Sequence, residues 1–110
     1  MNFYIGNSIS VLDISEDNVE FSDELLEFIY EKGKRLSFAT DKLSNINPYT
    51  DTVVPLSDLP QIVEICRYFL AQGTLQNSRN PNAWSQMINE LIEIAQKAMF
   101  KGLGLISIGD

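Results

Sequence analysis

Apolar residues recur at helical spacing in three stretches of the chain and at strand-like spacing near its two ends. In the first stretch, Leu25, Leu26, Phe28, Ile29 and Leu36 trace one face of an amphipathic helix. Ser22 is placed to cap it, and Asp23 and Glu24 occupy the first turn, where the helix dipole favours negative charge. Lys32, Lys34 and Arg35 form a basic end, so this helix is expected to stop around Gly33 to Arg35. A second stripe, Leu59, Ile62, Val63, Cys66, Phe69 and Leu70, predicts a helix over about 58–72. Ser57 reads as its N-cap, Pro60 is tolerated in its first turn, and Gly73 is a natural stop. Asn80-Pro81 opens a third helix, with proline at the first helical position. Trp84, Met87, Ile88, Leu91, Ile92, Ala95 and Met99 line its inner face, and Gly102 closes it.

The remaining segments lack that period. Phe3-Tyr4-Ile5-Gly6 is rich in β-formers, and residues 8–14 partly alternate polar with apolar, which predicts short strands and a hairpin turning near Gly6-Asn7. Residues 15–21 read as an acidic linker. Residues 36–56 show no helical pattern, only a turn-rich loop at Asn45-Ile46-Asn47-Pro48-Tyr49 and a brief strand at Thr52-Val53-Val54. Leu103-Gly104-Leu105-Ile106-Ser107-Ile108 is a short apolar strand, buried on at least one face. Strands at both termini with helices between them define an α+β domain: about three helices packed on a small sheet formed by the N- and C-terminal segments. Residues 1–110 hold no Pro/Gly/Ser-rich linker, so one domain is expected.

Charge changes this picture more than composition does. Residues 1–31 carry eight acids (Asp13, Glu16, Asp17, Glu20, Asp23, Glu24, Glu27 and Glu31) and no base. The other residues hold all eight bases against seven acids, so the net charge of −7 resides in the first third of the chain. Such a field repels nucleic acid and anionic membrane and attracts a basic partner. Glu20/Glu24, Asp23/Glu27 and Glu27/Glu31 are like-charge pairs at i,i+4, and Glu31/Arg35 alone is spaced to offset them within the helix. A solvated face would account for solubility; a segment that keeps this repulsion with no interspersed lysine also suits a basic partner.

Candidate chemistry is sparse. Histidine is absent, which removes the commonest general base and transition-metal ligand. Cys66 is the single cysteine and sits on an apolar stripe, which reads as core. The acids lack the spacing and glycine of a calcium loop, and Gly102-Leu103-Gly104 follows a helix where a dinucleotide loop follows a strand. No metal or cofactor is therefore expected. With fifteen acids, paired carboxylates for an enzyme stay open as a lesser alternative. The N-terminal stretch lacks a secretory pattern and no apolar run is of membrane-spanning length, so a cytoplasmic location is expected.

The layout resembles the small immunity proteins encoded beside bacterial polymorphic and contact-dependent inhibition toxins. The likeness lies in Phe3-Tyr4-Ile5-Gly6, the acidic first helix, the Asn47-Pro48-Tyr49-Thr50-Asp51 loop and the closing Gly104-Leu105-Ile106-Ser107-Ile108-Gly109-Asp110. It extends over the whole chain as size, acidity and general pattern, without a diagnostic motif. The resemblance implies a non-catalytic protein that covers the basic, phosphate-binding cleft of a toxin nuclease. The charge then points to Asp13, Glu16, Asp17, Glu20, Asp23 and Glu24 as the contact surface, with Tyr49 and Asp51 in addition. The competing reading is an acidic regulatory or adaptor domain that binds an unrelated cellular protein.

Overall fold

A computed structural model describes residues 1–9, 17–36, 39–71 and 73–109. The element order is β1 (Asn2–Ile5), β2 (Val19–Glu20), α1 (Asp23–Gly33), α2 (Asp41–Ser44), β3 (Thr52–Val54), α3 (Leu59–Ala71), α4 (Pro81–Lys101) and β4 (Leu105–Ile108). The strands form an antiparallel sheet in the order β2-β1-β4-β3, so the two ends of the chain meet at its centre. The fold is α+β, as the alternation of patterns predicts. The strand expected over residues 8–14 falls outside the described residues from residue 10 onward; at the expected turn, Gly6 and Asn7 are hydrogen-bonded to Gly104.

Register explains the burial pattern of the sheet. Phe3 opposes Ser107 and Ile5 opposes Leu105, and these residues face the helices. Phe3, Leu105 and Ser107 are completely buried there. Tyr4 and Val53 flank Ile106 on the opposite face, in keeping with the two-residue period of a strand. Behind the first face, α3 packs along α4, and α1 closes the core with Leu25, Leu26 and Ile29. Phe28 stacks at a tilt on Trp84 with ring centroids 5.2 Å apart, so Trp84 is a core residue as its place on the apolar stripe predicts.

Four local expectations need correction. Val19 and Glu20, read as linker, pair with β1 as an edge strand, because buried Val19 anchors them and the Phe21 amide donates to the Met1 carbonyl at 2.9 Å. Residues 36–56 do contain a helix: α2 is a single turn held by the buried Leu43, too short to show a period. Ser57 does not cap α3; it lies inside a 3₁₀ turn, Leu56–Asp58, that leads into the helix. Glu31 pairs with Lys34 at 3.4 Å in place of Arg35. The cap at Ser22 is as expected, its Oγ accepting from the Leu25 amide at 3.0 Å. Gly102 ends α4 with φ +71, and the Leu103 amide returns to the Ala98 carbonyl at 2.9 Å.

Candidate functional site

The amphipathic period of α1 builds an acidic surface as a by-product of building the core. Once Leu25, Leu26 and Ile29 point inward, Glu24, Glu27 and Glu31, spaced by three and four residues, fall on one outward stripe with Tyr30 beside it. Each like-charge pair at this spacing costs about 0.2–0.5 kcal/mol of helix stability. Bases from other segments offset part of that cost: Arg79 lies 3.2 Å from Glu24. Lys97 of α4 lies 3.9 Å from Asp17. Within the described part of the acidic segment, Glu20 and Glu27 are the carboxylates without an ion-pair partner.

The expected contact residues separate into groups. Asp13 and Glu16 lie outside the described residues. Asp17 is almost wholly exposed, at 98%, and borders a cleft of about 410 Å³ between β2 and α4. Glu20 sits on the edge strand, exposed, opposite Asn2. Asp23 opens α1; its Oδ1 is buried, lies 3.7 Å from the Met1 amine and accepts no hydrogen bond among the described residues. Glu24 is exposed and bridged to Arg79. Tyr49 is 69% exposed, in a turn where its amide donates to Asn47 Oδ1 at 2.9 Å. Asp51 serves the fold, because its Oδ1 accepts from the Gly109 amide at 3.1 Å and ties the loop to the end of β4.

The structure brings together Asp23 and Tyr49, which the sequence offered separately, and adds Glu27 and Tyr30. All four line a cleft of about 220 Å³ floored by Leu26, Ile46 and Pro48. Neither Glu27 nor Tyr30, the latter 45% exposed, is among the contact residues expected from the sequence. A signal existed: Tyr30 lies just off the stripe that carries Leu25, Leu26 and Ile29, so an aromatic ring there has to face outward. On the other side of α1, Glu24, Glu27, Glu31 and Arg79 rim a second cleft, of about 400 Å³, with Phe28 and Trp84 at its base. Glu27 lines both clefts.

Cys66 is fully enclosed by the core, and burial pushes its thiol up from 9.0 to about 12. The folded protein therefore keeps the thiol protonated where an unfolded chain would ionise it. The resulting stability is fully present below pH 9 and is lost as pH rises from there toward about 12, with a slope of about 1.4 kcal/mol per pH unit between the two values. The native protein is expected to leave a chromogenic thiol reagent unreacted at neutral pH, and denaturant to release one reactive thiol per chain. Rapid native labelling would contradict this placement of Cys66. Among the described residues, no group of three or more His, Cys, Asp or Glu is positioned to hold a metal ion, and no helix is long and apolar enough to cross a membrane. The chain matches no family model, no curated protein and no solved structure.

Proposed function

We propose that this chain is an immunity protein that binds and neutralises a cognate toxin domain, a basic nuclease, through its acidic surface. The observation that carries the reading is the concentration of exposed carboxylates on β2 and α1, with Glu20 and Glu27 unpaired among the described residues, beside the exposed rings of Tyr30 and Tyr49. Charges of one sign accelerate encounter with a basic cleft, and exposed tyrosines supply the anchoring contacts that charges alone do not. Arg79, Lys34 and Lys97 offset Glu24, Glu31 and Asp17, and the reading therefore rests on the carboxylates left unpaired and on the aromatic rings exposed beside them. The protein itself performs no chemistry in this reading; it occupies the cleft in the cytoplasm, where nucleic acid would otherwise enter.

The test is capture from a lysate of the native host at low and at high salt, followed by assay of the recovered protein. The expected result is a basic domain, held at low salt and released by high salt, whose cleavage of nucleic acid stops when one equivalent of the chain is added. Recovery of no partner, or of one held equally at both salts and devoid of nuclease activity, would overturn the reading.

A further inference from the structure

We infer that the cleft lined by Tyr30 and Tyr49 seats an arginine side chain of the partner; this rests on the immunity reading and names the chemistry of its central contact. Size limits the occupant first. At about 220 Å³ the cleft falls below the roughly 300–1,000 Å³ usual for cofactors and drug-sized ligands, and suits one long side chain. Its lining then specifies which one. Leu26 and Pro48 offer an apolar floor for an aliphatic stem, and Asp23 and Glu27 offer carboxylates for a cationic head. Asp23 already lies 3.7 Å from the Met1 amine, whereas Glu27 has no ion-pair partner among the described residues, so Glu27 is the carboxylate that meets the head without breaking a bridge.

The two exposed rings favour arginine over lysine. A guanidinium is planar, stacks on an aromatic face and forks onto a carboxylate, and it is shed from water more readily than an ammonium. Lys34, which is not part of the cleft lining, already lies over the Tyr30 ring with its Nζ 4.7 Å from the centroid, so the ring open to an incoming guanidinium is that of Tyr49, 69% exposed. Charge complementarity selects the same partner. A protein surface built to hold phosphate is rich in arginine, because the fork that grips phosphate oxygens also grips a carboxylate. An acidic aromatic cleft therefore takes the side chain that the nucleic acid would have engaged.

The probe is N-acetyl-arginine amide, titrated into the ¹⁵N-labelled chain alongside the lysine and citrulline counterparts. Saturable amide shifts are expected at Asp23, Glu27, Tyr30 and Tyr49, tighter with arginine than with lysine and absent with the uncharged citrulline compound. Tyr49→Ala, at an exposed loop position, should abolish the shifts and keep the native spectrum elsewhere. Phe100→Ala, at an aromatic residue 94% exposed outside the cleft, should leave them unchanged. Equal shifts with citrulline, shifts spread evenly over Asp17, Glu20 and the other exposed acids, or no shift up to the solubility limit would overturn the inference. Failure of the probe together with capture of a salt-sensitive nuclease would remove the arginine site and leave the immunity reading standing. Specific arginine binding with no toxin captured would keep the guanidinium site and remove the immunity reading.

Discussion

Asp17→Lys, Glu20→Lys and Glu24→Lys introduced together should slow association with the proposed basic partner by roughly 10- to 1,000-fold at low salt. Each reversal changes the charge by two, so the three take the net charge from −7 to −1. Steering acts over the distance at which charges are felt through solvent, roughly 8–10 Å at physiological salt. The loss should therefore appear in the association rate and shrink as salt is added, with little change in dissociation. The fold should survive. Asp17 and Glu24 meet Lys97 and Arg79 only in exposed bridges at 3.9 and 3.2 Å, a class of pair that contributes about 0–1 kcal/mol. The Glu24→Lys change also places a cation in the first turn of α1, a further penalty of about 0.3–1 kcal/mol. Stopped-flow association across a salt series, with far-ultraviolet circular dichroism as the check on folding, decides the matter. Association at the parental rate in a folded variant would remove the acidic segment from the mechanism.

The helices were legible from their apolar stripes because three or more turns repeat the same demand: α1, α3 and α4 each bury residues that the 3.6-residue period selects. Short elements carry no such redundancy. α2 is one turn whose only buried residue is Leu43, and β2 is two residues whose identity as a strand depends on β1 lying beside them. Nothing local to Val19-Glu20 announces that partner. The candidate site divides along the same line. Its acidity could be counted from the chain, but the meeting of Tyr30 with Tyr49 could not, because it depends on how α1 lies against the 44–49 turn. Asp51 illustrates the converse: its place beside Tyr49 suggests a contact residue, and the structure gives it a hydrogen bond to Gly109, a residue 58 positions away. Charge placed the surface on the chain, and tertiary packing assembled the cleft.

Gly104→Ala is expected to destabilise the protein by about 3 kcal/mol, at the upper end of overpacking effects because the clash falls on backbone. Two segments, Gly6-Asn7 and the end of β3, converge on this buried residue. The Gly104 amide donates to Asn7 Oδ1 at 2.8 Å, and its carbonyl accepts from the Gly6 amide at 3.0 Å. On the other side runs the end of β3: a methyl group on Gly104 would drive into the Val54 carbonyl oxygen and lie 3.2 Å from the Leu56 nitrogen. A flexible side chain could turn aside, whereas these atoms are fixed by the pairing of Val54 with Leu105. Relief requires β3 to move off β4, which would uncover the buried Val54 and Leu105 together. For a domain of this size the loss corresponds to a fall in melting temperature of roughly 10–20 °C. Gly73 supplies the comparison, since its φ of +67 makes it a conformational requirement with open space around the missing side chain. Gly73→Ala should cost only about 1 kcal/mol, and Gly73→Asn less, because asparagine tolerates the left-handed region. Asparagine should bring no such relief at Gly104, where volume is the obstacle. Urea denaturation of the four variants separates the two causes, and equal losses at both glycines would show that β3 does not approach β4 as closely as described.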